Sequence, residues 1–306
     1  MARFVTVTPN PALDLTLEVE HLGVGEVNVA SLSRFESGGK GANVARMLGQ
    51  LGGDVTAVVA LPSDGGDSWI AGFPRTIDLR TTRVSATLRA NVAITSSSGT
   101  TTKVNMRGGP ISAQEGEALL DAISGAGRGA AWIVNGGSLP SGMDPTWIRR
   151  AIEVGHGCGA QVAVDCSGEA LRAAVSSGAD LVKPNGEEAA GIVGFEVHDR
   201  SSAERAAAQM MTLGAGSVLL SLGESGAIYH RQRDGATAHA PSPRAVVRST
   251  VGAGDVLLAS FLYSLAHDAS PEDALDAAVR WAAAKVQEPG TAMPSEPLRA
   301  KFSPFA

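Results

Sequence analysis

Short runs of β-branched and apolar residues at 4–8, 55–61, 131–135, 161–165, 181–183 and 217–222 alternate with Ala- and Leu-rich amphipathic stretches at 42–51, 113–123, 145–153, 169–175, 187–192 and 203–213. This succession constrains the fold more than any other feature, because parallel strands need long crossovers and a helix is the usual one. Two Ala-rich helices, about 253–266 and 271–286, close the chain. The pattern predicts an α/β fold with three layers, α/β/α, around a mostly parallel sheet.

Two segments break the alternation. Residues 14–20 with 28–35, and residues 88–106, alternate polar and apolar side chains at period two, as half-exposed strands do. Within the second, 89–95 and 101–105 flank Ser97-Ser-Gly-Thr, which reads as a hairpin. A small sheet set into a large α/β domain is placed to act as a lid. No repeat of 20–50 residues and no low-complexity linker interrupts the chain. One domain over 1–306 is therefore expected, with a discontinuous β lid from about 14–36 and 88–107.

Charge and cysteine content narrow the partners. Lys and Arg number 25 against 31 Asp and Glu, a net charge of −6, and no basic run of five occurs. A nucleic-acid partner is excluded, since phosphate backbones demand a basic footprint. The apolar run in residues 1–9 is too short for a signal peptide, and 256–266 is too short to span a membrane. Cys158 and Cys166 are too few for a disulfide framework and read as core residues of a cytoplasmic, soluble protein. The six histidines show no metal-ligand spacing.

The sharpest chemical segment is Arg248-Ser-Thr-Val-Gly252-Ala253-Gly254-Asp255. It puts two glycines and an acid at the start of an apolar helix, where free N–H groups and the helix dipole favour a developing negative charge. Asp255 there can take a proton from an attacking hydroxyl; equally, it can be an ordinary first-turn acid. Gly38-Gly39-Lys40-Gly41-Ala-Asn43 also opens a helix, but it is no Walker A motif because Gly41 follows the lysine. Neither glycine cluster completes a dinucleotide fingerprint, since Val44 and Leu257 stand at the third small position. Asp14, in Asn10-Pro-Ala-Leu-Asp14, follows the first strand and is either a sugar-gripping carboxylate at a strand end or a turn aspartate. Asn185 and Glu188 are three apart at a helix start, the spacing of a metal-water pair and equally of a capping box. Gly136-Gly137-Ser138 ends a strand, and Ser221-Leu-Gly223-Glu-Ser-Gly226 is a glycine turn between strands.

These segments, in this order across nearly the whole chain, resemble the phosphofructokinase-B, or ribokinase-like, carbohydrate kinases. Asp165-Cys-Ser-Gly-Glu and Glu288-Pro-Gly-Thr-Ala-Met-Pro294 resemble the branch containing 1-phosphofructokinases and tagatose-6-phosphate kinases. The resemblance implies a ribokinase-like domain with a β lid, often a homodimer contact, and transfer of the γ-phosphoryl of ATP with Mg²⁺ to a ketohexose monophosphate. Fructose 1-phosphate is the first expectation. Fructose 6-phosphate, tagatose 6-phosphate or an unphosphorylated sugar or nucleoside are alternatives, and a non-catalytic sugar or nucleotide sensor is the remote one. By the same resemblance Asp255 is the base, and Gly252, Ala253 and Gly254 form the anion hole. Lys183, Asn185, Ser221, Gly223 and Gly226 meet the nucleotide, and Asn185 and Glu188 hold the metal through water. Asp14, Gly39, Lys40, Asn43 and Ser138 hold the sugar, while Arg89 and Lys103 meet its phosphate. Val29 departs from the basic residue that branch often carries in its first lid strand, and Met106-Arg107 departs from Glu-Pro after the hairpin.

Overall fold

The computed structural model describes residues 2–298, so the expected domain ends at 1 and 306 lie outside the described residues. In chain order the strands and helices are β1 (Arg3–Thr8), β2 (Ala12–Val19), β3 (Leu32–Gly38), α1 (Lys40–Gln50), β4 (Asp54–Asp64), α2 (Gly66–Ala71), β5 (Asp78–Thr87), β6 (Arg89–Ser96), β7 (Thr101–Asn105), α3 (Ala113–Gly127), β8 (Trp132–Gly136) and α4 (Thr146–Gly157). They continue with β9 (Gln161–Asp165), α5 (Gly168–Ser176), β10 (Leu181–Val182), α6 (Gly186–Val193), α7 (Arg200–Thr212), β11 (Ser217–Ser221), β12 (Ala227–Arg231), β13 (Thr237–Ala240), α8 (Ala253–Leu265) and α9 (Pro271–Lys285). Nine strands form one sheet in the order β13-β12-β11-β10-β9-β8-β1-β4-β5. All neighbours are parallel except β12 against β11 and β13. This is the expected three-layer α/β/α arrangement.

Alternation along the central strands decides which layer each side chain joins. Val5 and Val7 of β1 and Val58 and Ala60 of β4 face α3, α4, α5, α6 and α7, giving one buried cluster. Phe4, Val55, Ala57 and Val59 face α1, α2, α8 and α9, giving the other. Leu257, Leu258, Phe261 and Leu262 of α8 are buried almost completely. That helix is apolar nearly all round, as a helix pinned between a sheet and a second helix must be.

The remaining strands form the separate small sheet, in the order β3-β2-β6-β7. The hairpin β6-β7 falls where the Ser97-Ser-Gly-Thr turn predicts it. The partner strand does not. It begins at Leu32 instead of residue 28, because the Asn28 side chain is used in a turn, accepting from Gly23 N at 2.8 Å and donating to Gly23 O at 2.9 Å. Val29 is consequently 82% exposed in a loop and belongs to no lid strand. Strand β5 is also unforeseen, since an edge strand rich in Arg and Thr lacks an apolar alternation to betray it.

Close backbone approach brings α1 to the sheet. A Cβ at Gly41 would stand 2.3 Å from Val7 O, and one at Gly136 would stand 2.6 Å from Gly41 N. Glycine at both positions lets the first turn of α1 rest directly on the ends of β1 and β8. Lys40 and Asn43 are carried to the cleft by that contact.

Candidate active site

Strands β1 and β8 are adjacent, and their neighbours lead away in opposite directions, so the sheet has a switch point between them. Open α/β sheets bind ligands just there, outside the carboxyl ends of the strands. A cleft of about 490 Å³ occupies the place, and Asp14, Gly39, Lys40, Asn43, Arg89, Lys103, Ser138, Lys183, Asn185, Glu188, Ser221, Gly252, Gly254 and Asp255 all line it. Residues separated by up to 241 positions in sequence thus meet in one cavity.

The floor is ionic. The Asp165 side chain is fully buried, with Lys40 Nζ at 2.7 Å from one carboxylate oxygen and Lys183 Nζ at 3.3 Å from the other. Burial alone would raise the pKa of Asp165, but the two ammonium groups outweigh it and hold the carboxyl below its ordinary range. Burial likewise works against the charge on Lys40, yet Asp165, Asp255 and Glu188 together keep it well above the usual lysine value. Asp255 goes the other way. Only 5% exposed, it is pushed up to about 6 by burial and by the negative charge of Asp165, against the pull of Lys40, Asn43 and Lys183. Asn43 Nδ2 donates to Asp255 Oδ2 at 2.7 Å and fixes the carboxylate at the head of α8.

Gly252 supplies the N-cap of α8 at φ 79°, a conformation that favours glycine, and so turns the chain into the helix with its amides toward the cleft. A Cβ at Gly254 would lie 3.0 Å from Lys183 Nζ, so the ammonium sits against the first helical turn. Free amides, a helix N-terminus and two lysines converge where an anion would bind. Ala253 stands apart from the cleft lining, and its amide makes a long contact of 3.5 Å with Thr250 O.

The small sheet forms the roof. Its register aligns Asp14, Asn91 and Asn105 in one row and Thr16, Ala93 and Lys103 in the next, on the face toward the cleft. Asp14 is therefore neither a turn residue nor at the end of β1; it arrives on lid strand β2. Burial raises its pKa, opposed by the Asn91 amide, which donates at 2.8 Å, and by Arg46 and Arg89. Arg89 lines the cleft while donating to Asn10 O, Asn91 Oδ1 and Met106 O, so its guanidinium also ties roof to wall. Asn10 in turn donates to Ser138 Oγ at 3.1 Å. Lys103 Nζ spans from the roof to Thr250 Oγ1 at 3.2 Å, just ahead of the anion-binding turn.

Two expected contacts have another explanation. Gly223 opens and Gly226 follows the short 3-10 turn Gly223–Ser225 between β11 and β12, and neither lines the cleft. At Gly226 a Cβ would collide with Ala240 O at 2.0 Å, so packing against the end of β13 already requires glycine there. Arg107, weighed beside Met106 for its departure from the family pattern, borders a separate surface hollow. Asp165, Asn91, Asn105 and Thr250 were not singled out as site residues by sequence. For Asp165 the signal is present: a lone acid closing the buried apolar run Val162-Ala-Val164, at the carboxyl edge of the sheet.

Asn185 and Glu188 do form a capping box: Asn185 Oδ1 accepts from Glu188 N at 2.8 Å, and Glu188 Oε2 accepts from Asn185 N at 3.0 Å. The other oxygen, Oε1, is 3.8 Å from Lys40 Nζ and faces the cleft. Among the described residues no three His, Cys, Asp or Glu side chains gather closely enough to hold a metal alone. Hard oxygen donors beside an anion site fit Mg²⁺ that keeps its waters and is shared with a phosphate.

A family model described as pfkB family carbohydrate kinase matches residues 10–298. The chain is 30% identical over 292 residues to a 1-phosphofructokinase of Vibrio cholerae, covering 95% of this chain and 92% of that one. It is 32% identical over 301 residues to the 1-phosphofructokinase of Escherichia coli K12, covering 96% and 94%. Among solved structures, phosphofructokinase-2 from Escherichia coli in complex with fructose-6-phosphate superposes with a TM-score of 0.86 at 28% identity, covering 94% of each chain.

The ionic floor has a measurable cost when broken. Asp165→Asn leaves two buried or half-buried ammonium groups without their shared counter-charge, and we expect a loss of about 3–5 kcal/mol in urea unfolding at pH 7. Because the carboxyl pKa is lowered by folding, the contribution is complete above its unfolded value and fades as pH falls through the lowered one. A variant as stable as the wild type at pH 7 would contradict this account.

Proposed function

Since the chain belongs to the pfkB family of carbohydrate kinases, we propose that it transfers the γ-phosphoryl group of ATP to a hydroxyl of a ketohexose monophosphate, fructose 1-phosphate giving fructose 1,6-bisphosphate. One observation carries the reading: a buried carboxylate of raised pKa, Asp255, stands beside the glycine-rich start of α8, under a roof that carries Arg89 and Lys103. The curated relatives at about 30% identity bear the name 1-phosphofructokinase. A second reading, fructose 6-phosphate as acceptor, draws on the structural neighbour bound to that sugar.

In this reading Asp14, Gly39, Lys40, Asn43 and Ser138 hold the sugar, with Arg89 and Lys103 toward its phosphate. Lys183, Asn185 and Ser221 meet the nucleotide, whose outer reach extends toward the turn at Gly223 and Gly226. Asp255, kept in place by Asn43, takes the proton from the attacking hydroxyl. The amides of Gly252, Ala253 and Gly254, with Lys40 and Lys183, stabilise the charge that grows on the transferred phosphoryl. Asn185 and Glu188 would hold Mg²⁺ through water, and the ion would supply charge neutralisation of the nucleotide phosphates. The roof excludes water, which makes every charge in the cleft count for more. The reaction then needs positioning and electrostatics, with no covalent intermediate on the protein.

The same reading makes the protein a cytoplasmic homodimer. Cys158 and Cys166 are free, and no helix of the described residues is long and apolar enough to cross a membrane. The outer lid row runs Phe35, Leu15, Val92, Val104 across all four strands, and Phe35 and Val104 are 63% and 55% exposed. Such an apolar sheet face asks for a cover, and a second copy of the same face is self-complementary. Phe35→Glu is expected to shift the mass found by light scattering from two chains to one; a wild-type protein already monomeric at micromolar concentration would remove the dimer.

Turnover decides the acceptor. ADP release from MgATP, measured in parallel on fructose 1-phosphate, fructose 6-phosphate, tagatose 6-phosphate, fructose and ribose, is expected to be fastest in kcat/KM with fructose 1-phosphate; preference for fructose 6-phosphate selects the second reading, and silence on all five selects a sensor. For the base, Asp255→Asn is expected to lower kcat by about 10²- to 10⁴-fold while ATP still binds. The ionised carboxylate is the working form, so kcat/KM of the wild type should climb with pH through about 6 and level off above it. A profile flat from pH 5 to 8 would dismiss Asp255 as the base.

A further inference from the structure

Lys285, the last residue of α9, is wholly shielded from solvent, and the reaction as described gives it no task. Its Nζ donates to Gly290 O at 2.9 Å. Among the described residues no carboxylate oxygen comes within 4.0 Å of that nitrogen. Its alkyl end lies behind the anion-binding turn: a methyl group built on Gly252 would stand 3.4 Å from Lys285 Cε. The loop it ties down is itself a junction. Val286 O accepts from Arg248 N and Ser249 N, at 2.7 and 3.1 Å, ahead of α8, and Thr291 N donates to Glu36 Oε2 of lid strand β3 at 3.0 Å.

A tie to one neutral carbonyl does not require a charge, and a buried ammonium without an ion-pair partner is costly. The positive charge therefore has to serve something nearby, and the nearest feature that gains from it is the head of α8. We propose that Lys285 is a positioning residue of the phosphoryl-transfer site: its ammonium adds a fixed positive field behind Gly252–Gly254 and, through Gly290, clamps the turn that presents those amides. The proposal rests on the kinase reading above. Burial lowers the pKa of Lys285 to about 8, against the pull of Glu36, Glu288 and Asp255, so the group is predominantly charged at neutral pH. The electric effect is felt where negative charge accumulates during transfer and little in the bound ground state, so it belongs to kcat more than to KM.

The test uses the whole protein and whichever sugar the wild type phosphorylates fastest. Lys285→Met keeps the bulk and removes the charge; kcat is expected to fall about tenfold to a hundredfold, with both KM values changed by less than about threefold. Lys285→Ala leaves a cavity the size of a small amine, and added ammonium or methylammonium chloride is expected to restore its kcat severalfold, where equal sodium chloride does not. A Met variant with wild-type kcat overturns the proposal. So does an Ala variant indifferent to ammonium, or one helped equally by sodium, and this arm stands even where the Met variant does not fold. If the wild type phosphorylates none of the sugars, the kinase reading has failed on its own account. The same comparison is then made on slow hydrolysis of MgATP by water, which builds charge on the same phosphoryl group.

Discussion

A single buried carboxylate holds the cleft together. Asp165 ends β9 at the carboxyl edge of the sheet, fully shielded, and binds one lysine that opens α1 and another that follows β10. Neither lysine alone would be oriented: Lys40 is carried on a helix start and Lys183 directly follows a strand of two residues. Their shared, fully buried anion fixes both, Lys183 deep in the protein and Lys40 half-buried, and it adds like-charge repulsion to the burial that raises the proton affinity of Asp255. The two acids divide the labour through their surroundings. Asp165, with a cation on each side, stays ionised as scaffolding; Asp255, also buried but with a like charge beside it, has its pKa raised.

Much of this was legible in the chain. The alternation of apolar runs with amphipathic stretches specified the parallel sheet, because burial on both faces leaves strands few polar positions. The Ser97-Ser-Gly-Thr turn located the hairpin, and the glycines with Asp255 located the helix head. What escaped reading depended on side chains used locally or on long-range packing. Asn28 looked like strand and serves a turn; β5 pairs as an edge with little apolar signature. At Gly226 a backbone collision with Ala240 gives a second reason for glycine beside the ligand contact that the sequence suggests. The capping box at Asn185 and Glu188 shows that the structural and chemical readings need not exclude each other, since the cap occupies only one of the two Glu188 oxygens.

The architecture divides rigidity from adaptability. The floor is anchored on helix starts pressed against buried strands, where a displacement of an ångström meets backbone atoms. The roof is bound by ties of mixed burial: Trp69 Nε1 to Gly38 O is buried, Thr291 to Glu36 is half-buried, and Lys103 to Thr250 is exposed. Elements with many exposed hydrogen bonds open at low free-energy cost.

The roof also has no counterpart in any continuous stretch of chain. Its central pair is β2 beside β6, parallel and in register from Ala12 with Arg89 to Val19 with Ser96, with the whole of α1, β4, α2 and β5 lying between them. Asp14 and Thr16 come from one segment; Asn91, Lys103 and Asn105 come from the other. The lining of the cleft's roof is thus shared by two segments of the chain that lie far apart in sequence. Exchanging one of them with a relative would place foreign side chains opposite native ones across a ladder whose register admits no slip, so a transplant of the roof has to carry both segments at once.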